Sequence, residues 1–199
     1  YKSDIDCVFL HRAEPGMTSG PGRQVDTTSF YANLGQRIIH SLTMHTPAGT
    51  LYGADMRLRP GGDSGMIVSH IDGFEAYMEK DAWTWEHQAL IRARPVAGDA
   101  RICQDFQQIR KRILTRKRPG DTLKKEVGEM REKMRAQRLK PEKGTVDLKQ
   151  SKGGIVDIEF LVQYLILNHA CQYRDLAVWT DNIRLLESLD TEGIIPAEH

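Results

Sequence analysis

Ser3-Asp4-Ile5-Asp6-Cys7-Val8-Phe9-Leu10 and Leu51-Tyr52-Gly53-Ala54-Asp55-Met56-Arg57-Leu58-Arg59-Pro60 decide how this chain folds. Each reads as a strand that carries carboxylate on an otherwise apolar ribbon. Side chains alternate faces along a strand, so Asp4 and Asp6 share one side. On a strand over 50–59, Asp55, Arg57 and Arg59 share a side as well. If the two strands are neighbours, three carboxylates and two guanidiniums converge. Clustered carboxylates repel one another unless a cation sits among them. Hard oxygen donors suit Mg²⁺, which binds through a few carboxylates and substrate phosphates. Two such ions roughly 3.5–4 Å apart would clamp an in-line phosphoryl or nucleotidyl displacement. Metal binding by Asp4, Asp6 and Asp55 therefore outweighs strand-end capping or a plain salt bridge from Asp55 to Arg57 or Arg59. Phosphate contact is the expectation for Arg57 or Arg59, because guanidinium forks match phosphate oxygens.

Working outward, residues 4–10 read as one buried strand and 12–25, rich in Gly, Pro and small polar residues, as a loop. A helix is expected over about 27–44, with Phe30, Leu34, Ile38 and Ile39 at helical spacing. Residues 60–65 (Pro-Gly-Gly-Asp-Ser-Gly) turn the chain like a hairpin, and Met66-Ile67-Val68 returns as a third strand. Ser69 with Asp72 resembles a capping box for a helix through Met78. Beyond that the pattern is helical, over about 83–94, 99–115, 121–138, 154–170 and 180–189. The expected fold class is α+β, a small mixed sheet followed by a helical bundle, with a boundary near 95–99. The two domains are then 1–96 and 97–199. Both ends read as cut from a longer protein.

The chain has 199 residues and a net charge of +1, with ordinary hydrophobic content (40%) for a folded domain. No apolar run approaches the roughly 20 residues a bilayer span needs. Cys7, Cys103 and Cys171 have no metal-ligand spacing, which points to buried thiols in a reducing, cytoplasmic compartment. Residues 110–143 hold 14 Lys or Arg against 5 Asp or Glu. Without interleaved aromatics, this stretch reads as a solvated helix face first, a docking surface for an acidic protein second, and a nucleic-acid site last. In the docking case Lys124, Lys125 and Arg131 are the residues to reverse.

The D-x-D strand followed by a third Asp resembles the nucleotidyltransferase superfamily that includes DNA polymerase β. Four segments in series resemble glutamine synthetase adenylyltransferases more closely. They are Ser3–Asp6, Asp55–Pro60, Trp83-Thr84-Trp85-Glu86-His87-Gln88-Ala89-Leu90 with Arg92-Ala93-Arg94, and Gly153-Gly154-Ile155-Val156-Asp157-Ile158-Glu159-Phe160. The resemblance implies a Mg²⁺-dependent transfer of AMP from ATP to a tyrosine of glutamine synthetase, in the C-terminal, adenylylating half of a bifunctional parent. Asp4, Asp6 and Asp55 would be the catalytic carboxylates and hold two Mg²⁺ ions, and Ser3, Arg57 and Arg59 would bind the nucleotide. It also implies glutamine synthetase as protein substrate and the PII signal protein as regulator, with no nucleic-acid or membrane partner. The Gly-rich turn that holds the triphosphate in this superfamily would precede Tyr1. Three alternatives stand beside this reading: phosphorolytic removal of AMP from glutamine synthetase, a catalytically silent docking module, and an RNA- or DNA-extending nucleotidyltransferase.

Other residues have plainer readings. Trp83 and Trp85 are expected in the core, and Glu86 and His87 as hydrogen-bonding residues. Asp157 and Glu159 suit the first turn of a helix through its dipole. Gly153 and Gly154 would allow close backbone approach, so a site-facing role is kept for this segment.

Overall fold

The computed structural model describes residues 4–50, 52–139 and 146–195. The order is β1 (Asp4–Asp6), β2 (Phe9–His11), α1 (Thr27–Thr43), β3 (Gly53–Asp55), β4 (Val68–His70), α2 (Ile71–Lys80), α3 (Thr84–Arg92), α4 (Ala100–Leu114), α5 (Gly120–Arg138), α6 (Ile155–His169) and α7 (Asn182–Thr191). The α+β class stands. The chain divides into two compact units: one runs to Ala82 and includes Gly98–Asp105, and the other comprises Trp83–Ala97 and the chain from Phe106 onward.

In the first unit the expected single strand over 4–10 is broken at Cys7-Val8. Its first half, β1, pairs with β3, and its second half, β2, pairs with β4. Both pairings are parallel, so among the described residues there are two short parallel pairs rather than one mixed sheet. A parallel pair requires a crossover, and α1 lies in the chain between β2 and β3. The 60–65 turn is not a hairpin, since β3 and β4 pair with different strands. The cap of α2 also moves by one residue. Strand β4 runs on through His70, whose Nδ1 accepts the Asp72 N–H at 3.2 Å in place of the expected Ser69 cap.

The core of this unit is Val68, Ile71, Phe74 and Met78. Helix α1 starts where Asp26 caps the Ser29 N–H at 2.9 Å, but it buries only Gly35. A Cβ there would lie 2.7 Å from Val68 Cγ2. The expected apolar face of α1 is only half covered: Phe30, Leu34, Ile38 and Leu42 are 37–43% exposed.

Beside this core, His11 is buried and stacks on Tyr31 with ring centroids 4.6 Å apart, and His70 meets it edge-on at 5.2 Å. Burial, and then the charge of His70, push the His11 pKa down. The neutral ring is therefore favoured in the fold, while the unfolded chain takes up the proton near pH 6.5. Stability is unaffected above that value and lost as pH falls from about 6.5 toward the lower folded value. The urea midpoint should drop between pH 7.5 and 5.5, and His11→Phe, which keeps the stack, should shrink that drop. An equal drop in the variant would assign the acid sensitivity elsewhere.

The second unit is helical and has the larger apolar core. Leu90, Ile91, Ile113, Leu114, Leu123, Val162, Ile166, Leu167, Leu185 and Leu189 are all nearly inaccessible. Each such side chain is worth about 1.5–3 kcal/mol relative to exposure. Helix α3 packs on α5 and α6, and Gln88 Nε2 donates to Gln163 Oε1 at 2.9 Å between the buried faces of α3 and α6. Glu86 reaches back to the Trp83 N–H at 2.8 Å, closing the start of α3. Trp83 itself is 70% exposed and not in the core. It occupies the cap position, so its indole projects off the helix end.

Candidate active site

Strand register builds the site in the first unit. Asp4 pairs with Gly53, Ile5 with Ala54 and Asp6 with Asp55. Residues in register across a parallel pair lie on one face. Asp6 and Asp55 are therefore lateral neighbours, with Asp4 two residues along on the same side. The Cys7 N–H donates to the Asp55 carbonyl at 2.8 Å and extends the ladder past the pair. Gly53 provides the room for Asp4: a Cβ at this position would lie 2.3 Å from Asp4 Oδ1. Asp4 and Asp6 are exposed rather than buried, because they occupy the solvent side of a short strand at the edge of a small core. Burial, then the neighbouring Asp6 carboxylate, push the Cys7 thiol up, so it is a poor nucleophile.

Strand β3 ends at Asp55 instead of continuing to residue 59. The Asp55 carboxylate accepts the Arg57 N–H at 2.9 Å, an Asx turn that bends the chain out of the ladder. Arg57 does not sit on a strand face. Its Nε donates to Asp55 Oδ1 and Oδ2 at 2.9 and 2.8 Å, and its Nη2 donates to Oδ2. These hydrogen bonds and the carboxylate charge raise the Arg57 pKa further. Arg59 turns back into its own loop, with Nη1 on the Met56 carbonyl (2.7 Å), Nη2 on Asp63 (3.1 Å) and Nε on Gly65 (3.2 Å). That loop is tight: Gly61 and Gly62 have φ of +76° and +55°, and a Cβ on Gly65 would lie 1.8 Å from the Pro60 carbonyl oxygen. Ser3, also expected at the nucleotide, lies outside the described residues, as does Leu51.

Among the described residues, no three His, Cys, Asp or Glu side chains are gathered into a metal-holding cluster. The Asp55 carboxylate faces Arg57. The donor set nevertheless suits a hard divalent ion, with three carboxylates on one face by register and a glycine cradle beside the first.

The Gly153–Glu159 segment has a structural explanation in the second unit. Gly153 has φ of +77°, and a Cβ on Gly154 would lie 2.7 Å from the Leu148 carbonyl oxygen. Burial works to raise the Asp157 pKa, but the Gly153 N–H at 2.7 Å, Arg131 and Arg135 hold it below the usual value. Glu159 pairs with Arg92 at 2.7 Å. Arg131 is therefore not part of a solvated basic face. It is buried and also donates to the Gln150 carbonyl at 2.9 Å. Arg131→Ala should cost about 1–3 kcal/mol, because it removes one of the two guanidiniums on Asp157 and leaves the Gln150 carbonyl without its donor. A urea midpoint within error of the unsubstituted chain would refute this.

Two further residues of the basic stretch also turn inward. Arg110 donates to the carbonyls of Leu90, Ile91, Ala177 and Trp179. Arg118 donates to Ile113, Leu114, Arg116 and Leu167. Burial pushes both down to about 10. Composition alone holds no signal separating these arginines from surface ones. For Arg118 its position just after the end of α4 does, because the last turn of a helix leaves its carbonyls unpaired.

Residues 1–109 match the family model described as glutamate-ammonia ligase adenylyltransferase, and residues 122–199 match that of GlnD PII-uridylyltransferase. The chain belongs to the glutamate-ammonia ligase adenylyltransferase family. It is 50% identical, over its full length, to a bifunctional glutamine synthetase adenylyltransferase/adenylyl-removing enzyme of Thioalkalivibrio sulfidiphilus. Proteins of the same name from Hahella chejuensis and Pseudomonas aeruginosa are 48% and 46% identical over 100% and 98% of the chain. The chain spans about a fifth of the length of these relatives, 20% of the first and 21% of the other two.

Proposed function

We propose that this chain carries a nucleotidyl-transfer centre that moves AMP from ATP to a tyrosine of glutamine synthetase, as part of the adenylylating half of a bifunctional parent. The observation that carries this reading is the parallel register that sets Asp6 beside Asp55, with Asp4 on the same face. Asp4, Asp6 and Asp55 would hold two Mg²⁺ ions. Bound magnesium would neutralise the triphosphate and favour the phenolate of the incoming tyrosine. Asp55 takes the phenol proton, which a free tyrosine with a pKa of about 10 keeps at neutral pH. The phenolate oxygen then bonds to the α-phosphorus and pyrophosphate leaves. Arg57, with its guanidinium at the surface, and Ser3 contact phosphate oxygens. Arg59 contributes by holding the 56–65 loop through three of its carbonyls. The reaction belongs in the cytoplasm, and no described helix is long and apolar enough to cross a membrane. PII is the proposed regulator, a reading motivated by the likeness of residues 122–199 to a PII-modifying family. No nucleic-acid partner is proposed, since the basic stretch has no interleaved aromatics on which bases could stack.

The relatives' name also includes adenylyl removal, which supports a second reading, phosphorolysis of AMP from the modified tyrosine. Two incubations separate the readings: glutamine synthetase with α-labelled ATP, and labelled adenylyl-glutamine synthetase with phosphate. Label appearing on the synthetase supports the first reading, and label released as ADP supports the second. If no label appears on the synthetase and none is released as ADP, the chain is a docking module.

A further inference from the structure

The Arg57 guanidinium sits directly on one of the three carboxylates. Its Nε bonds both oxygens of Asp55 and its Nη2 adds a further bond to Oδ2, while its backbone N–H holds Oδ1. The Asp55 side chain is 14% exposed and that of Arg57 is 63% exposed. The guanidinium therefore covers the carboxylate from the solvent side and can swing away without opening a cavity.

We propose that Arg57 is a built-in counter-cation for Asp55, which a divalent metal must displace in order to bind. This rests on the metal reading given above. A carboxylate offers about four lone-pair directions, and the Arg57 donors already engage both of its oxygens. A guanidinium and a divalent cation on one carboxylate would also repel each other in a partly desolvated setting. The side chains as they stand form no metal-holding cluster among the described residues, although the register of β1 and β3 favours one. The backbone N–H bond to Oδ1 does not depend on the guanidinium. Asp55 thus stays anchored when Arg57 leaves, and only the side-chain partner is exchanged. A site of clustered negative charge is in this way kept neutralised until metal arrives.

The test is Mn²⁺ binding without nucleotide, read by the electron paramagnetic resonance of the unbound ion, with circular dichroism to confirm folding. The 199-residue chain, Arg57→Gln, Asp6→Asn and the Arg57→Gln/Asp55→Asn double variant are compared. Arg57→Gln should tighten Mn²⁺ binding about tenfold, the scale on which one neighbouring charge shifts an ionisation. The double variant should lose that gain. Equal or weaker binding by Arg57→Gln, with binding by the unsubstituted chain still abolished in Asp6→Asn, overturns the counter-cation role and leaves the metal site standing. Tightened binding that survives in the double variant places the ion elsewhere and also overturns it. Absence of Mn²⁺ binding in both the unsubstituted chain and Arg57→Gln overturns this inference together with the metal reading.

Discussion

Asp6→Asn should lower metal-dependent AMP transfer by ~10³-fold or more, equivalent to about 4 kcal/mol of lost transition-state stabilisation. Asp6 is the carboxylate in register with Asp55, so its amide removes one charge from the centre of the shared face. The fold should not suffer. Asp6 lies on the exposed side of β1, and the amide is isosteric and relieves repulsion from its neighbours. In metal-free buffer the melting temperature should be unchanged or higher. Turnover within tenfold of the unsubstituted chain would remove Asp6 from the catalytic set. A fall in melting temperature of several degrees would instead mean that Asp6 is structural.

Arg110→Ala should cost about 3–5 kcal/mol of stability in the second unit, because it strands buried carbonyls and empties the volume of a long side chain. The guanidinium joins the C-terminal carbonyls of α3, Leu90 and Ile91, to those of Ala177 and Trp179. Lysine should rescue little, because a point ammonium cannot reproduce the planar fork. The measurement is chemical denaturation followed by far-ultraviolet circular dichroism. A loss below about 1 kcal/mol for the alanine variant, the scale of a single ordinary hydrogen bond, would show that water replaces the guanidinium at these carbonyls.

Helices were well legible in the sequence. Apolar spacing placed α1, α4, α5 and α6 within a residue or two of their observed ends, since a long period-3.6 pattern specifies a helix without help from partners. The strands were legible in kind but not in extent. Alternation set Asp4, Asp6 and Asp55 on one face, as the register bears out. It also continued the second strand through Arg57 and Arg59, and there the Asx turn at Asp55 prevailed. A side-chain acceptor two residues before a backbone donor competes directly with the ladder, and hydropathy is blind to that competition. Arg131 and the half-covered stripe of α1 have a common cause. Burial depends on what packs against a residue, and neither charge nor spacing names that partner. Gly53 is likewise silent in the sequence, because what it contributes is the absence of a Cβ where Asp4 leans across.

The Asx turn at Asp55 inverts what counts as a mild change at that position. Asparagine would keep the acceptor for the Arg57 N–H, and hence the end of β3, while discarding the charge. Glutamate would keep the charge but lengthen the side chain by a methylene, so that its oxygens overshoot the N–H that bends the chain. Backbone path and charge at residue 55 are thus read out by different substitutions. A loss seen with asparagine alone would be chemical, and a loss seen with glutamate alone would be geometric. Few positions in a small domain allow shape and charge to be separated by a pair of single substitutions.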